Sequence, residues 1–232
     1  MKYKAVVFDL FGTLVDEDGD RYEQMLKDVA NLWGVPFETF RQPWRASDVE
    51  RNMGGFQSME EQLAYVSAVL EYTPSATLLA ETASRYTESR RLNLQPRTSL
   101  LETLQELQSV DLLRGLISNC SFVDRNLFPG SEIAPHIDVP VLSDDVGLLK
   151  PDPRIFQLAC KRLGLQPEDC LYVGDGGSNE LTAAKEAGMN SVLIRVPYHD
   201  GPAGNELREG EHWTGPRITS IPEVMGLLEQ WL

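Results

Sequence analysis

Short apolar runs alternate with helical periodicity along most of the chain. The runs predict strands at about Tyr3 to Phe8, Leu113 to Ile117, Val139 to Leu142, Leu171 to Val173 and Ser191 to Arg195. Between or after them, apolar residues at helical spacing predict helices at roughly Ser99 to Ser109, Pro153 to Leu163, Asn179 to Ala187 and Pro222 to Trp231. Gly164 and Gly188 stand where two of these helices should stop, as C-terminal caps often do. Strand and helix in alternation are the signature of a parallel sheet built from strand–helix–strand units, so the expected fold class is α/β.

The interval 16–94 breaks that alternation. It has no strand-like run, yet "RYEQMLKDVANLWG", "SMEEQLAYVSAVLEY" and "PSATLLAETASRYTESRRL" all carry helical periodicity. A helical stretch of that length after the first strand is far too long for an ordinary crossover. The expected organisation is a core of residues 1–15 and 95–232, with an inserted all-helical cap domain over 16–94. Hinges are expected near 15–20 and 91–97, and the Gly- and Pro-rich segment from Tyr198 to Gly215 reads as a surface loop.

Composition narrows the function. A chain of 232 residues with net charge -14, and no segment dominated by Lys and Arg, excludes nucleic-acid backbone binding as the main task. An acidic protein that handles an anionic substrate needs local help, from a cation or a placed lysine. Cys120, Cys160 and Cys170 show no CxxC spacing, which fits thiols in a reducing compartment. The apolar run before Asp9 is too short for a signal peptide or a membrane span. We expect a soluble cytoplasmic protein with no membrane and no nucleic-acid partner.

In open parallel sheets, ligands lie outside the carboxyl ends of the strands. Those ends carry chemistry here. Asp9 follows the first strand and Ser118-Asn119 the second; Lys150 lies downstream of the third; Gly174-Asp175 follows the fourth, with Glu180 close behind. Singly, each has a plain explanation as a turn, a cap or a solvated side chain. Together they converge on one sheet edge. Carboxylates gathered there repel unless a cation neutralises them, and oxygen ligands favour Mg²⁺. A carboxylate in such a place can attack as a covalent nucleophile, while a hydroxyl and an ammonium hold a bound anion.

The segments "DLFGT", "ISN", "KPDPRIF" and "GDGGSNELTAAKEAGM" resemble, in order and spacing, the four motifs of the haloacid dehalogenase-like hydrolases. The resemblance covers residues 3 to 15 and 97 to 196 and implies a Rossmann-like core. The helical insertion resembles the subfamily I cap. By that resemblance Asp9 is the nucleophile, Ser118 the anion-binding hydroxyl, with Asn119 beside it, and Lys150 the charge stabiliser. Mg²⁺ would be held by Asp9, the carbonyl of Phe11, Asp175 and Glu180, the last as a direct ligand or one step removed, and the substrate is a small anionic molecule. Relatives with this cap are monomers or homodimers.

Phe11 departs from the phosphatase pattern. Phosphatases resembling this chain carry an aspartate there, which protonates the leaving alcohol and later activates water. Loss of such a group costs about 10²- to 10⁴-fold in rate. True 2-haloacid dehalogenases resemble this chain at that position, having an aromatic residue, and halide leaves without a proton. Arg41, in "FRQPWR", lies where a dehalogenase cap offers a cation to substrate or halide. Against this, dehalogenases lack the acidic pair that Asp175 belongs to. Two unpaired carboxylates would raise each other's pKa and weaken a metal-free nucleophile. The expectation is a Mg²⁺-dependent phosphohydrolase or phosphotransferase without that acid. Displacement at carbon, or ligand binding without turnover, are the alternatives. Smaller expectations concern Asp144 and Asp145, which either orient Lys150 or cap a turn, and Ser178 and Asn179, expected to cap the following helix with Glu180 in its first turn.

Overall fold

The computed structural model describes residues 3–16, 19–196 and 212–230. Strands β1 (Ala5–Phe8), β2 (Leu113–Ser118), β3 (Val139–Leu142), β4 (Cys170–Gly174), β5 (Asn190–Ile194) and β6 (Arg217–Ile218) form one sheet. Its order is β3-β2-β1-β4-β5-β6 and every pair is parallel. The five expected strands are present; β6 was not foreseen, because two residues cannot show a period. From β1 the chain builds outward to β2 and β3 on one side and to β4, β5 and β6 on the other. That reversal opens a crevice outside the carboxyl end of β1.

Both faces of the sheet are covered. Val6 and Phe8 of β1 pack with Leu100, Leu104 and Leu107 of α6 (Leu100–Ser109) and with Val224 and Leu228 of α11 (Glu223–Gln230). Ala5 and Val7 point the other way, toward Ile155, Phe156 and Ala159 of α9 (Pro153–Leu163) and Leu181 and Ala184 of α10 (Glu180–Glu186). This alternation follows from the two-residue period of a strand. Helix α9 starts at Pro153, with the Asp152 side chain accepting from the Arg154 N–H at 2.9 Å, and stops at left-handed Gly164.

Five helices lie between β1 and α6: α1 (Gly19–Trp33), α2 (Phe37–Ala46), α3 (Asp48–Asn52), α4 (Met59–Val69) and α5 (Ala76–Leu92). They enclose an aromatic core of their own around Trp33, Phe40, Trp44 and Tyr86. Helix α2 was not predicted, since Pro43 stands inside it and removes a helical hydrogen bond. Burial of Phe40, Pro43 and Trp44 against this core outweighs that defect. Two short helices follow strands on the sheet side, α7 (Phe122–Leu127) and α8 (Ser143–Val146). Phe122 and Val123 of α7 join the aromatic core of the insertion.

The insertion leaves and returns at neighbouring points. Val15 pairs with Pro96 in an antiparallel bridge, and Arg97 donates to Asp16 at 2.7 Å and to the Thr13 carbonyl at 2.8 Å. Of the expected hinge and loop, residues 17–18 and 197–211 lie outside the described residues. No described helix is long and apolar enough to cross a membrane. Cys120, Cys160 and Cys170 are all buried free thiols.

Candidate active site

Strand β1 runs directly into Asp9, whose N–H donates to the Val173 carbonyl at 2.9 Å and so extends the pairing with β4 by one residue. The carboxylate is 4% exposed. Its Oδ1 accepts from Lys150 Nζ in a short contact, while Oδ2 has no hydrogen-bond partner among the described residues. Lys150 is carried there by the loop after α8, and Asn119, just past β2, grips its main chain. Asn119 Oδ1 accepts from the Lys150 N–H at 2.8 Å, and Nδ2 donates to the Lys150 carbonyl at 3.1 Å. Beyond Asp9, Lys150 Nζ reaches Glu180 Oε2 at 2.5 Å and the Tyr172 hydroxyl at 3.4 Å.

Glu180 is held from three sides. The Tyr172 hydroxyl donates to its Oε2 at 2.8 Å and the Gly176 N–H to its Oε1 at 3.1 Å, besides the lysine. A Cβ on Gly174 would meet Glu180 Oε1 at 2.2 Å, so only glycine leaves room for this acid. The loop that delivers it is unusual: Ser178 and Asn179 both adopt left-handed φ, at 54° and 51°. Such residues cost about 1–3 kcal/mol each and persist where the surroundings over-determine them. Neither side chain caps α10, contrary to the expectation. Two left-handed residues in succession instead turn the chain so that Glu180 faces inward, 1% exposed. In the same loop Asp175 Oδ1 accepts from the Gly177 N–H at 2.9 Å.

Burial raises the Asp9 pKa; the Lys150 charge opposes that rise and Asp175 adds to it. Burial, then the Asp9 charge, pushes Glu180 up to about 8. For Lys150 burial works against the charged form, but Asp9 and Glu180 overcome it and hold the ammonium well above its ordinary pKa. One oxygen each of Asp9, Asp175 and Glu180 lies within 4.8 Å of the others. Three carboxylates thus crowd together, two of them bonded to one ammonium, with one buried Asp9 oxygen unpartnered. That donor set fits a hard divalent cation such as Mg²⁺.

These groups open onto a cavity of about 820 Å³ between the sheet edge and the helical insertion. Phe11, Asn119, Lys150 and Asp175 line it with Asp9, and so does Arg41 of α2. Arg41 stays near its own helix, 3.4 Å from Glu38 and 5.7 Å from the Phe37 ring. The Ser118 side chain is fully buried at the end of β2, does not line the cavity, and its hydroxyl has no hydrogen-bond partner among the described residues. Asn119 has its amide on the Lys150 backbone, which makes it a positioner of the lysine. Asp144 does not orient Lys150: it pairs with Arg125 of α7 in a short contact.

Two features escaped the sequence reading. Tyr172, inside β4, puts a hydroxyl into the lysine–glutamate network, and Phe156 packs edge-on against it at 5.3 Å. Its signal was faint, a tyrosine within a fully buried strand. Arg90 of α5 lies 4.4 Å from the Phe11 ring centroid and donates through Nε to Asp124 of α7 at 2.6 Å. No local pattern joins residues so distant in sequence.

A parallel sheet wrapped by helices on both faces, carrying a buried acid–lysine cluster at its switch point beneath a helical insertion, defines a Rossmann-like α/β hydrolase. The chain belongs to the haloacid dehalogenase-like hydrolases, whose family model matches residues 3–188. It is 26% identical to (S)-2-haloacid dehalogenase 4A of Burkholderia cepacia, over 97% of this chain and 94% of that protein. It is 27% identical to N-acetylmuramic acid 6-phosphate phosphatase of Pseudomonas aeruginosa, over 100% of this chain and 97% of the relative. In fold it is similar to a family enzyme of Bacteroides thetaiotaomicron solved in complex with magnesium and inorganic phosphate. That match has TM-score 0.65 at 18% identity and covers 88% of this chain and 97% of the other.

Proposed function

We propose that the protein is a Mg²⁺-dependent phosphohydrolase or phosphotransferase that acts on a small anionic phosphorylated molecule through Asp9. The observation that carries this reading is the crowding of Asp9, Asp175 and Glu180, with ligand atoms within 4.8 Å, around one lysine. A dehalogenase nucleophile gains nothing from that crowding, because each acid raises the pKa of the next. Asp9, Asp175 and the Phe11 carbonyl would hold Mg²⁺. Glu180, whose two oxygens already accept from Gly176, Tyr172 and Lys150, adds charge and locks the lysine. The cation, when bound, neutralises the carboxylates and draws electron density from the phosphoryl oxygens.

The remaining chemistry belongs to the chain. An Asp9 carboxylate oxygen attacks phosphorus; the new P–O bond forms as the bond to the leaving group breaks, and the leaving group takes the electron pair. Lys150, fixed by Asn119, keeps Asp9 aimed and balances charge on the phosphoryl group. Water then cleaves the acyl phosphate. The insertion acts as the cap that encloses the substrate and excludes bulk water. Phe11 supplies no proton, so acyl and aryl phosphates, which depart unprotonated, should outrun alkyl esters. One observation favours displacement of halide at carbon instead: the aromatic ring of Phe11 lies beside the nucleophile in the same cavity.

The test presents acetyl phosphate, para-nitrophenyl phosphate and 2-chloropropionate to the purified protein, in Mg²⁺ or in chelator, and follows phosphate and chloride by ion chromatography. The expected result is phosphate release that needs Mg²⁺ and is fastest with the acyl phosphate. Chloride release in chelator would replace this reading with the dehalogenase one. Silence in both channels would leave a ligand binder.

A further inference from the structure

Resting on the phosphoryl-transfer reading, we infer that Arg90 receives the leaving group: its guanidinium, laid on the Phe11 ring, neutralises the departing oxyanion electrostatically and takes the place of a proton donor.

The geometry separates the surroundings of Asp9 into two sides. Lys150, Glu180 and Tyr172 occupy the sheet side, bonded to one another, and Lys150 bonds Asp9. In an in-line displacement the bond that breaks lies opposite the attacking oxygen, so the leaving group departs toward the insertion. There the cavity wall nearest in sequence to the nucleophile is Phe11, and over its ring, at 4.4 Å, lies the Arg90 guanidinium. Phe11 can give no proton. Arg90 is permanently charged. It is also buried, and in a low-dielectric setting a cation is worth far more to a developing anion than in water.

Arg90 is held ready. Its Nε donates to Asp124 Oδ1 at 2.6 Å. The other oxygen of Asp124 is itself fixed, accepting from the Ser121 N–H at 2.9 Å and from the Ser121 hydroxyl at 2.8 Å. The guanidinium therefore needs no rearrangement as charge develops. Of the other cavity arginines, Arg41 leans on Glu38, Arg51 bonds Asp48 and stacks on Trp44, and Arg45 is exposed; the cation on the Phe11 ring is Arg90. The balance of the step is simple. The P–O bond to the leaving oxygen breaks, its electron pair stays on that oxygen, no proton moves, and the resulting phenolate or carboxylate is met by Arg90.

The test measures kcat for a series of aryl phosphates whose phenols grow steadily less acidic, in Mg²⁺, for the wild type, Arg90→Gln and Asp124→Asn. Arg90→Gln should lose only several-fold on the most acidic phenol and about 10²-fold on the least acidic, steepening the dependence on leaving-group acidity. Asp124→Asn loosens the hold on Arg90 but leaves the cation, so its slope should lie between those of the wild type and Arg90→Gln. Arg90→Met, which keeps the apolar stem, replaces Arg90→Gln should that variant not fold. If Arg90→Gln and Asp124→Asn lose activity equally on every phenol, Arg90 is a structural clamp and this inference falls while the hydrolase reading stands. If the wild type releases no phosphate from any ester, the phosphoryl-transfer reading fails and takes this inference with it.

Discussion

On the sheet side of the cavity, Lys150 bonds both Asp9 and Glu180 although the three come from separate strand ends. On the helical side, Arg41 and Arg51 each lean on an acid three residues away in their own helix, while Arg90 reaches across to Asp124 on the sheet side. The sheet wall is thus one coupled electrostatic unit in which every group sets its neighbour's protonation. The ion pairs of Arg41 and Arg51 on the helical wall each close within a single short stretch of helix, so charge there is balanced locally. A site built this way keeps its chemistry fixed on one wall and leaves its selectivity adjustable on the other.

The largest blow to that contrast should come from Asp9→Asn. It keeps the shape of the site and removes the carboxylate proposed as nucleophile, so turnover measured by phosphate release should fall by about 10⁴-fold or more. The thermal midpoint should not drop, because a neutral amide escapes the cost of burying a charged carboxylate, which offsets the lost Lys150 attraction. Next comes Lys150→Met. It leaves Asp9 and Glu180 buried without their common counter-charge, and should cost about 3–5 kcal/mol in urea unfolding. Gly174→Ala is smaller but more pointed. The added Cβ cannot coexist with Glu180 Oε1 at 2.2 Å, so overpacking should cost about 1–3 kcal/mol. Arg45→Ala, an exposed residue on the helical wall, should fall within about 0.5 kcal/mol of the wild type. A loss there as large as that from Lys150→Met would mean that both walls are coupled, and would end the comparison.

The same contrast explains what the sequence made legible. Asp9, Asp175 and Lys150 could be read because a parallel sheet sends every strand end to one edge, so position along the chain predicts position in space. Glu180 was read as a residue in the first turn of a helix, with its relation to the other acids open. What brings it inward is the pair of left-handed residues before it, and nothing in "GGSNE" announces left-handed serine. Tyr172 was hidden for a different reason: a strand buried on both faces shows no polar alternation, so a tyrosine with a functional hydroxyl looks like core. Helix α2 was concealed by Pro43, where tertiary burial overrides propensity. Arg90 and Asp124 illustrate the limit. Their pairing depends on how the insertion rests on α7, and that is a property of the folded whole.

The clasp at the base of the insertion has a consequence of another kind. Val15 and Pro96 are bridged neighbours, and Arg97 ties the outgoing segment at Thr13 and Asp16 to the returning one. To the sheet, everything between those points is a side branch, entered and left through one doorway. Such a junction is a natural place for grafting. The intervening segment can be lengthened, shortened or exchanged for another of different lining without moving a single strand, and a gene encoding this core can acquire a new appetite while its chemistry is inherited intact.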